Sequence, residues 1–284
     1  MKKQRIFVIG GPTASGKSSF AIRLAQEIGG EIINGDSIQI YKDLRILSAR
    51  PSIDDEKLVP HHLFGYVDCW TNPSIVDWLE RISKKLITVE NPIVVGGTGM
   101  YLDALVNGIS PMPDIPPEVR ELSRKTPLNT VLSKVKNCRF TDPQRLRRAY
   151  EIQLATGKSL SYFQKLPKKK FVDAEFVEVV ILPDREVVYD SCQQRFKQME
   201  QQGVVQEVID LMKKNPTGGV LKAIGVKEIS SYLAGAISKE QMEKEIVTST
   251  RQYAKRQMTW FRHHGNPKFI ITDPKTVKLQ NITK

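Results

Sequence analysis

The sequence has few cysteines and lacks any long hydrophobic run. Only three cysteines are present, Cys69, Cys138 and Cys192, and none belongs to a CxxC pair. This spacing argues against a zinc site and a disulfide framework, and it suits a reducing compartment. The apolar run at residues 6–9 is too short for the core of a signal peptide, and no other stretch could span a bilayer. The sequence therefore predicts a cytoplasmic protein with no membrane segment.

Acidic residues are in the minority. The 284 residues contain 43 lysines and arginines against 31 aspartates and glutamates, which gives a formal net charge of +12. Such a surplus either serves solubility alone or attracts a polyanion larger than one nucleotide, and composition leaves both interpretations open. With 40% hydrophobic residues, the chain can bury a full core as one large domain or two small ones.

The most informative stretch lies close to the N-terminus and fits the pattern G-x-x-x-x-G-K-[ST]. Its residues are Gly11, Pro12, Thr13, Ala14, Ser15, Gly16, Lys17 and Ser18. An apolar run precedes it and a helical pattern follows it, so a strand, a tight turn and a helix N-terminus would aim several backbone N–H groups at one anion. Lys17 adds a positive charge, and the Ser18 hydroxyl is placed to bind Mg²⁺. We therefore predict a loop that binds a di- or triphosphate.

A carboxylate follows the next predicted strand, at residues 31–34. In an open parallel sheet, ligands bind beyond the carboxyl ends of the strands, so Asp36 would lie beside the phosphate-binding loop. Two roles stay open at this point. Asp36 either caps a helix through its side chain or takes part in catalysis.

Further apolar runs predict strands at residues 61–67, 92–95 and 176–182. The middle run leads into a second glycine-rich turn, residues 96–99, for which a role at the same site is favoured over a turn without a ligand. His61 and His62 would point to opposite faces of their strand, so they cannot easily bind one metal. The predicted fold class is α/β, a P-loop NTPase-like parallel sheet flanked by helices, with a small helical insertion domain.

A proline-rich stretch at residues 110–117 marks a change in composition. Helical patterns follow, and one of them opens at Thr141-Asp142-Pro143 and closes at Gly157. Strand character then returns. We therefore predict a helical insertion within a P-loop core that continues into C-terminal helices, with the insertion at residues 112–172 and the core at residues 1–111 and 173–284.

The last long helix is predicted to start at Ser238, where Gln241 completes a capping box. Its later part is basic and aromatic, and Arg251, Lys255 and Arg262 would share one narrow stripe. Such a stripe is commonly only a solvated face. The nearby aromatic residues and the scarcity of acids favour a helix that contacts phosphates instead.

The sequence also lacks the apolar strand ending in an acid that holds Mg²⁺ in most P-loop enzymes acting on phosphate. The run at residues 92–95 leads into Gly96, Gly97, Thr98 and Gly99 instead. This absence disfavours an ATPase or a GTPase. A small-molecule kinase stays possible, with Asp36 activating a hydroxyl.

Five motifs follow one another along the chain: the loop at 11–18, D-S-x-Q-x-Y at 36–41, P-H-H-L at 60–63, G-G-T-G-x-Y at 96–101 and K-R-Q-x-T-W at 255–260. In this combination they resemble the bacterial tRNA dimethylallyltransferases, also called tRNA isopentenyltransferases, over nearly the whole chain. The resemblance implies transfer of a dimethylallyl group from dimethylallyl diphosphate to the exocyclic amine of the adenosine at tRNA position 37, just 3′ of the anticodon. It also implies Mg²⁺ as cofactor.

The resemblance assigns roles to individual residues. Asp36 occupies the position that accepts the proton of the amine, and Thr13 and Lys17 would stabilise the departing diphosphate in the loop, with Mg²⁺ held by Ser18. Thr98 and Arg256 would also line the site. The target base would be flipped out of its stack, with Ser37 and Gln39 reading its edges.

The same resemblance implies a partner, the anticodon stem-loop of tRNA, clamped from two sides by a protein expected to be a monomer. The residues implied to bind it are Asp36, Ser37, Ile38, Gln39 and Thr98 near the base, Gln144, Arg145, Leu146, Arg147 and Arg148 in the insertion, and Lys255, Arg256 and Arg262 in the last helix. RNA specificity of this kind usually rests on unstacked loop bases together with backbone contacts.

The sequence departs from the family pattern in three places. The insertion is short, because a stretch between Leu132 and Thr141 is largely missing. Residues 47–50, Leu-Ser-Ala-Arg, stand where Gly-Thr-Ala-Lys is common, and Val226 replaces a common tyrosine. These departures bear on RNA contacts more than on the reaction.

Two other functions compete with this one. The first is a P-loop kinase or an isopentenyltransferase acting on a free adenine nucleotide, which the basic helices disfavour because a mononucleotide does not need them. The second is a nucleotide-gated RNA-binding protein without group transfer, in which Asp36 would matter only for folding.

Overall fold

The computed structural model describes residues 3–135 and 142–283, so Cys138 and Thr141 lie outside the described residues. The chain divides into two compact units. The core unit comprises Met1–Val106 and Phe171–Lys284, and the insertion unit comprises Asn107–Lys170. The insertion predicted from the sequence, at residues 112–172, differs from this unit by a few residues at each end.

Six strands form one sheet in the core unit: β1 Arg5–Gly10, β2 Glu31–Asn34, β3 His61–His62, β4 Pro92–Gly96, β5 Glu175–Ile181 and β6 Phe269–Ile271. Their order across the sheet is β3-β2-β4-β1-β5-β6, and every neighbouring pair is parallel. Parallel strands covered by helices on both faces read as nearly continuous apolar runs, as the central strands do here. The predicted α/β class, with a parallel sheet flanked by helices, is confirmed.

The helices are α1 Lys17–Ile28, α2 Ile53–Leu58, α3 Ile75–Leu86, α4 Gly99–Asn107, α5 Pro117–Lys125, α6 Leu128–Lys134, α7 Pro143–Thr156, α8 Leu160–Gln164, α9 Arg185–Gln201, α10 Val204–Met212, α11 Val226–Leu233, α12 Lys239–His263 and α13 Gln280–Thr283. Local signals set several of their ends. Ser74 and Asp77 form a capping box at the start of α3. Asp142 caps α7, which ends at a left-handed Gly157.

Two expectations about local structure were wrong or incomplete, and one strand was missed. The strand predicted at residues 61–67 has only two residues, because Leu63 and Gly65 adopt positive φ angles of 59° and 55° that end the extended chain. Strand β6 was not predicted, since three residues are too few for a period-two pattern. At Ser238 only half of the capping box forms: the hydroxyl accepts from the Gln241 N–H, while the Gln241 amide donates to Glu245.

Two apolar clusters among the described residues of the core unit position the site. One lies between the sheet and α1 and includes Phe20, Leu24 and Ile93. The other joins the chain after β2 to the C-terminal helices, where Leu44 packs in the same cluster as Val208. Each fully buried aliphatic or aromatic side chain of this kind contributes about 1.5–3 kcal/mol to folding, so the C-terminal helices hold the loop that follows β2.

A single carboxylate fixes the loop after β2 to α10. Glu207 accepts hydrogen bonds from the backbone N–H groups of Ile46, at 2.7 Å, and Leu47, at 2.8 Å. The next residues of this loop receive the side-chain amide of Gln39, which donates to the carbonyl oxygens of Ser48 and Ala49 at 3.0 and 2.8 Å. Glu207 therefore supports the loop segment that orients Gln39.

Replacing Glu207 by alanine is expected to destabilise the core unit, because two backbone N–H groups lose a charged acceptor. Hydrogen bonds to charged groups contribute about 1.5–3 kcal/mol, which corresponds to a fall in Tm of roughly 3–12 °C for a domain of this size. Thermal unfolding followed by circular dichroism measures the effect.

Asp210→Ala is the matched control on the same helix. Asp210 is exposed and pairs with Lys213 and Gln206 of its own helix segment, so its loss should change Tm by about 1 °C or less. Equal Tm values for the two variants would contradict the anchoring role of Glu207.

Candidate active site at the ends of three strands

The loop after β1 has the geometry of an anion-binding site. Ala14 and Gly16 adopt positive φ angles of 61° and 83°, which turn the chain into α1. The N-cap residue of α1, Gly16, has no side chain that could cap the helix, and the first turn of α1 contains no acidic residue. Its first N–H groups and the positive end of its dipole are therefore available to an anion.

Lys17 supplies the positive charge of this loop. Its ammonium group donates to the carbonyl oxygen of Pro12 at 3.2 Å, so the side chain folds back over the loop. Burial among protein atoms lowers the pKa of Lys17 to about 8; the charge of Asp36 opposes this shift, and the charge of Arg195 adds to it. The lysine therefore lies close to both a carboxylate and a second cation.

The second cation, Arg195 of α9, was not predicted from the sequence. Its guanidinium donates to the Thr13 hydroxyl oxygen at 2.7 Å, and burial lowers its pKa. The sequence of α9 does indicate that Arg195 is buried. Cys192 and Met199 belong to the apolar stripe of this helix, and Arg195 lies three residues after the first and four before the second. An arginine in such a stripe needs a polar partner inside the protein.

Asp36 lies beyond the end of β2 and does not cap a helix. Its side chain accepts from the backbone N–H groups of Ile38, at 3.0 Å, and Gly97, at 3.2 Å. The residues after it form turns, so the interaction with Ile38 is a turn of the Asx type. The fully buried Asn34 side chain accepts from the Asp36 N–H at 2.8 Å and donates to the carbonyl of Leu63 at 3.1 Å.

The second glycine-rich turn, at the end of β4, lies between the other two strand ends. A Cβ on Gly96 would meet the backbone of Gly35, with the Cα of Gly35 at 2.9 Å. A Cβ on Gly97 would collide with the Gln257 amide and come within 3.3 Å of the Asp36 carboxylate. Only glycine allows this close approach, which explains the sequence of the turn.

Thr98 and Tyr253 lie in the same part of the site as this glycine-rich turn. The Thr98 hydroxyl accepts from the Ser37 N–H at 3.1 Å and lies 3.2 Å from the Ser37 hydroxyl. The Tyr253 hydroxyl lies beside the side chains of Thr98 and Gln257. Burial raises the pKa of Tyr253, and the charge of Asp36 raises it further, so the phenol stays neutral. Asp36, Ser37 and Thr98, which were predicted to line one site, therefore lie together in the structure.

The basic residues in the later part of α12 differ in whether they are exposed or bound to a neighbouring helix. Lys255, Arg256 and Arg262 are exposed, and the Arg256 guanidinium lies 5.7 Å from the centre of the Tyr253 ring. Arg251 instead donates to the carbonyl of Tyr189 at 3.3 Å and to the Gln193 side chain on α9 at 3.2 Å. The single basic stripe expected from helical spacing is therefore incomplete, because Arg251 is used for packing between helices.

Within the insertion unit, the five predicted RNA-binding residues also differ in their exposure and in their contacts. Gln144 and Arg145 are exposed, whereas Leu146 is buried against Val131 and Tyr150, so its side chain is not open to a partner. Arg147 donates to the carbonyl oxygens of Ser123 and Thr126 and thereby holds α7 to the end of α5. The Arg148 guanidinium pairs with Glu151 at 3.8 Å.

Two features are absent from the part of the chain that the structure describes. Residues 3–135 and 142–283 contain no group of three or more histidine, cysteine, aspartate or glutamate side chains arranged to hold a metal ion. Over the same ranges, none of the helices combines the length and the apolar composition needed to cross a bilayer. Ser18, the predicted Mg²⁺ ligand, has an exposed side chain at the start of α1.

Comparison with protein families and curated proteins gives consistent matches. The family model described as IPP transferase matches residues 39–264, and a model described as isopentenyl transferase matches residues 4–59. A protein of Allorhizobium ampelinum named tRNA dimethylallyltransferase is 41% identical, and the match covers 94% of each chain. A protein of Zymomonas mobilis with the same name is also 41% identical, over 95% of this chain and 91% of the relative.

Solved structures agree with these matches. A eukaryotic dimethylallyltransferase acting on tRNA superposes with a TM-score of 0.76 at 27% identity, over 91% of this chain and 70% of that one. A tRNA isopentenylpyrophosphate transferase from Bacillus halodurans superposes with a TM-score of 0.71 at 26% identity, over 99% of this chain and 94% of that one. A family model spanning most of the sequence and relatives matched along nearly its whole length lead to one conclusion: the chain belongs to the IPP transferase family of tRNA dimethylallyltransferases.

Proposed function

We propose that this protein transfers a dimethylallyl group from dimethylallyl diphosphate to the exocyclic N6 amine of adenosine 37 of tRNA and releases diphosphate. One observation carries the proposal. The anion-binding loop after β1 and the Asp36 carboxylate after β2 are brought together around the end of β4, where the Gly97 N–H donates to Asp36. The names of the relatives support tRNA as the substrate.

The phosphate-binding loop would act on the leaving group. As the allylic C–O bond breaks, its electron pair stays with the diphosphate, and the negative charge there increases. The N–H groups of the loop and the Lys17 ammonium would stabilise that charge where it develops. Because the Thr13 oxygen already accepts from Arg195, its own O–H is left to donate to the diphosphate. One oriented donor of this kind contributes on the order of 3 kcal/mol of barrier lowering.

Asp36 would act on the nucleophile. The adenine N6 forms a bond to the allylic carbon and loses one proton, which the Asp36 carboxylate accepts. Two backbone N–H groups hold this carboxylate in one orientation and leave it lone pairs for the incoming proton. The proton then passes to solvent, so that each cycle restores the carboxylate.

Mg²⁺ is part of the proposal, and the residues present fit it in a limited way. The described residues offer no cage of carboxylates or histidines, so protein ligation would come from the Ser18 hydroxyl and the remaining oxygens from the diphosphate, as is common for this ion. Bound there, Mg²⁺ would neutralise part of the charge on the leaving group. A cytoplasmic location and a monomeric state stay predictions.

The exposed cations of α12 would hold the RNA. Lys255, Arg256 and Arg262 lie on the exposed surface of the helix. Arg256 lies beside Tyr253, whose pKa is also raised by the charge of Asp36. We assign the flipped adenosine to the space between Asp36 and this helix, with Ser37 and Gln39 at its edges. Since the amide nitrogen of Gln39 is bound to loop carbonyls, its oxygen is the atom left to read the base.

Asp36→Asn tests the base and the reaction together. With unmodified tRNA, labelled dimethylallyl diphosphate and Mg²⁺, the wild-type protein should label the tRNA, and the variant should lose at least about 100-fold in rate, because an amide cannot accept the proton. Asp43→Asn, in the same loop but paired with Lys214, is the control and should keep its activity. Undiminished transfer by Asp36→Asn would rule out its role as base, and absence of label with the wild type would rule out the reaction.

The low pKa of Lys17 predicts a pH dependence of diphosphate binding. Only the charged lysine attracts the anion, so in the free protein the affinity for pyrophosphate should fall as pH rises through about 8, by up to about tenfold per pH unit. Calorimetric titrations at pH values of about 7, 8 and 9 measure this fall. Lys17→Arg stays charged over this range and should give a flatter profile; equal slopes for the two proteins would contradict the assignment.

The double variant Lys255→Ala/Arg262→Ala separates tRNA from a free nucleotide as substrate. Loss of two phosphate contacts should raise the Kd for tRNA about tenfold and reduce the dependence of log K on log salt by about 1.5. Lys84→Ala/Lys85→Ala on α3 removes the same charge elsewhere and should leave both quantities nearly unchanged. If transfer to free adenosine monophosphate exceeds transfer to tRNA, the alternative function acting on free nucleotides replaces the proposed one.

A further inference from the structure

We infer that Gln257 is a positioning residue that fixes the distance between the diphosphate loop and the base Asp36. The inference rests on the proposed function, because it concerns the two halves of that reaction. Gln257 lies in α12 and its side chain is buried, with 6% of its surface exposed. Its oxygen and its nitrogen are bound to two different strand-end loops.

The hydrogen bonds of Gln257 leave no ambiguity about its orientation. The side-chain oxygen accepts from the Thr13 N–H of the phosphate loop at 2.8 Å. The side-chain nitrogen donates to the carbonyl oxygen of Gly97 at 2.7 Å. Both partners are backbone groups, so a rotated amide would place NH₂ against N–H and oxygen against oxygen. A single amide therefore connects the end of β1 to the end of β4.

The connection continues to the base. The residue whose carbonyl accepts from Gln257, Gly97, donates its own N–H to the Asp36 carboxylate at 3.2 Å. The path from the loop to the base thus consists of Thr13, Gln257, Gly97 and Asp36, joined by three hydrogen bonds. Reacting atoms must approach to about 3–3.5 Å in a productive geometry. A bridge of fixed length between the loop and the base defines the gap in which the allylic carbon and the amine meet.

Gln257 also lies directly beside residues assigned to tRNA. Lys255 and Arg256 precede it on α12 with exposed side chains, while Gln257 points inward. Tyr253, one turn earlier on the same helix, lies beside both Gln257 and Thr98. The same segment of helix therefore holds the proposed RNA contacts on its outer face and the bridge between loop and base on its inner face.

Two variants separate positioning from simple packing. Gln257→Met keeps the volume and loses both hydrogen bonds. Gln257→Glu keeps an acceptor for Thr13 but, when ionised, sets a carboxylate oxygen against the Gly97 carbonyl. The matched control is Gln252→Met, at an exposed position of the same helix. Single-turnover transfer should slow about 10- to 100-fold in Gln257→Met and stay unchanged in the control, while the Kd values for pyrophosphate and for tRNA, measured separately, change less than about threefold.

The Gln257→Glu variant adds a signature that a packing defect does not produce. Once protonated, the introduced carboxyl group can donate to Gly97 as the amide does, so the rate of this variant relative to wild type should rise as pH falls from about 8 to about 6. A constant ratio across this range, or a loss of rate in Gln257→Met that follows a lowered Tm, would overturn the positioning role.

Hydrogen exchange provides a test that does not need the transferase reaction. Saturating pyrophosphate should slow amide exchange in wild type both at residues 11–18 and, through Gln257, at residues 96–99. In Gln257→Met the protection of residues 11–18 should persist and that of residues 96–99 should fall at least about fivefold. Equal protection of residues 96–99 in both proteins would overturn the bridge. If the bridge passes this test while wild type labels no tRNA, the proposed reaction fails and the bridge stands.

Discussion

The position of β4 between β1 and β2 is the constraint on which the rest of the site depends. Each of these strands ends in a segment with a different chemical property: an anion-binding loop, a glycine-rich turn and a carboxylate. Parallel pairing in register, with Ile9 opposite Val95 and Asn34 opposite the same residue from the other side, brings the three ends to one edge. Without that order, the loop and the base would not share a site.

Whether a feature could be predicted from the sequence depends on how far apart along the chain its contacting residues lie. The phosphate loop, Asp36 and the glycine turn were found because each is a short motif at a strand end, and parallel topology places strand ends together. Arg195 and Gln257 were not given their roles, since their partners lie far along the chain: 182 residues separate Arg195 from Thr13, and 244 separate Gln257 from Thr13. Local patterns contain no information on such pairs.

Charge patterns were a less reliable guide than apolar ones. Helical spacing placed Arg251 on a basic stripe, and the family resemblance gave Leu146, Arg147 and their neighbours one common role. In the structure Arg251 and Arg147 satisfy backbone carbonyls, and Leu146 fills a core. A long cationic side chain can serve either a partner or its own fold, and the choice depends on unpaired carbonyls nearby, which a sequence does not reveal.

The glycines at the strand ends have a further consequence. A Cβ at Gly11 would come within 2.5 Å of the Ile181 carbonyl, and a Cβ at Gly96 would meet the backbone of Gly35. The floor of the site is therefore made of main-chain peptide groups, whose positions follow from strand pairing and do not depend on rotamer populations. Evolution or engineering can therefore change the side chains around the site, such as Gln39 or Arg256. The main-chain groups at its base change position only if the pairing of the strands changes.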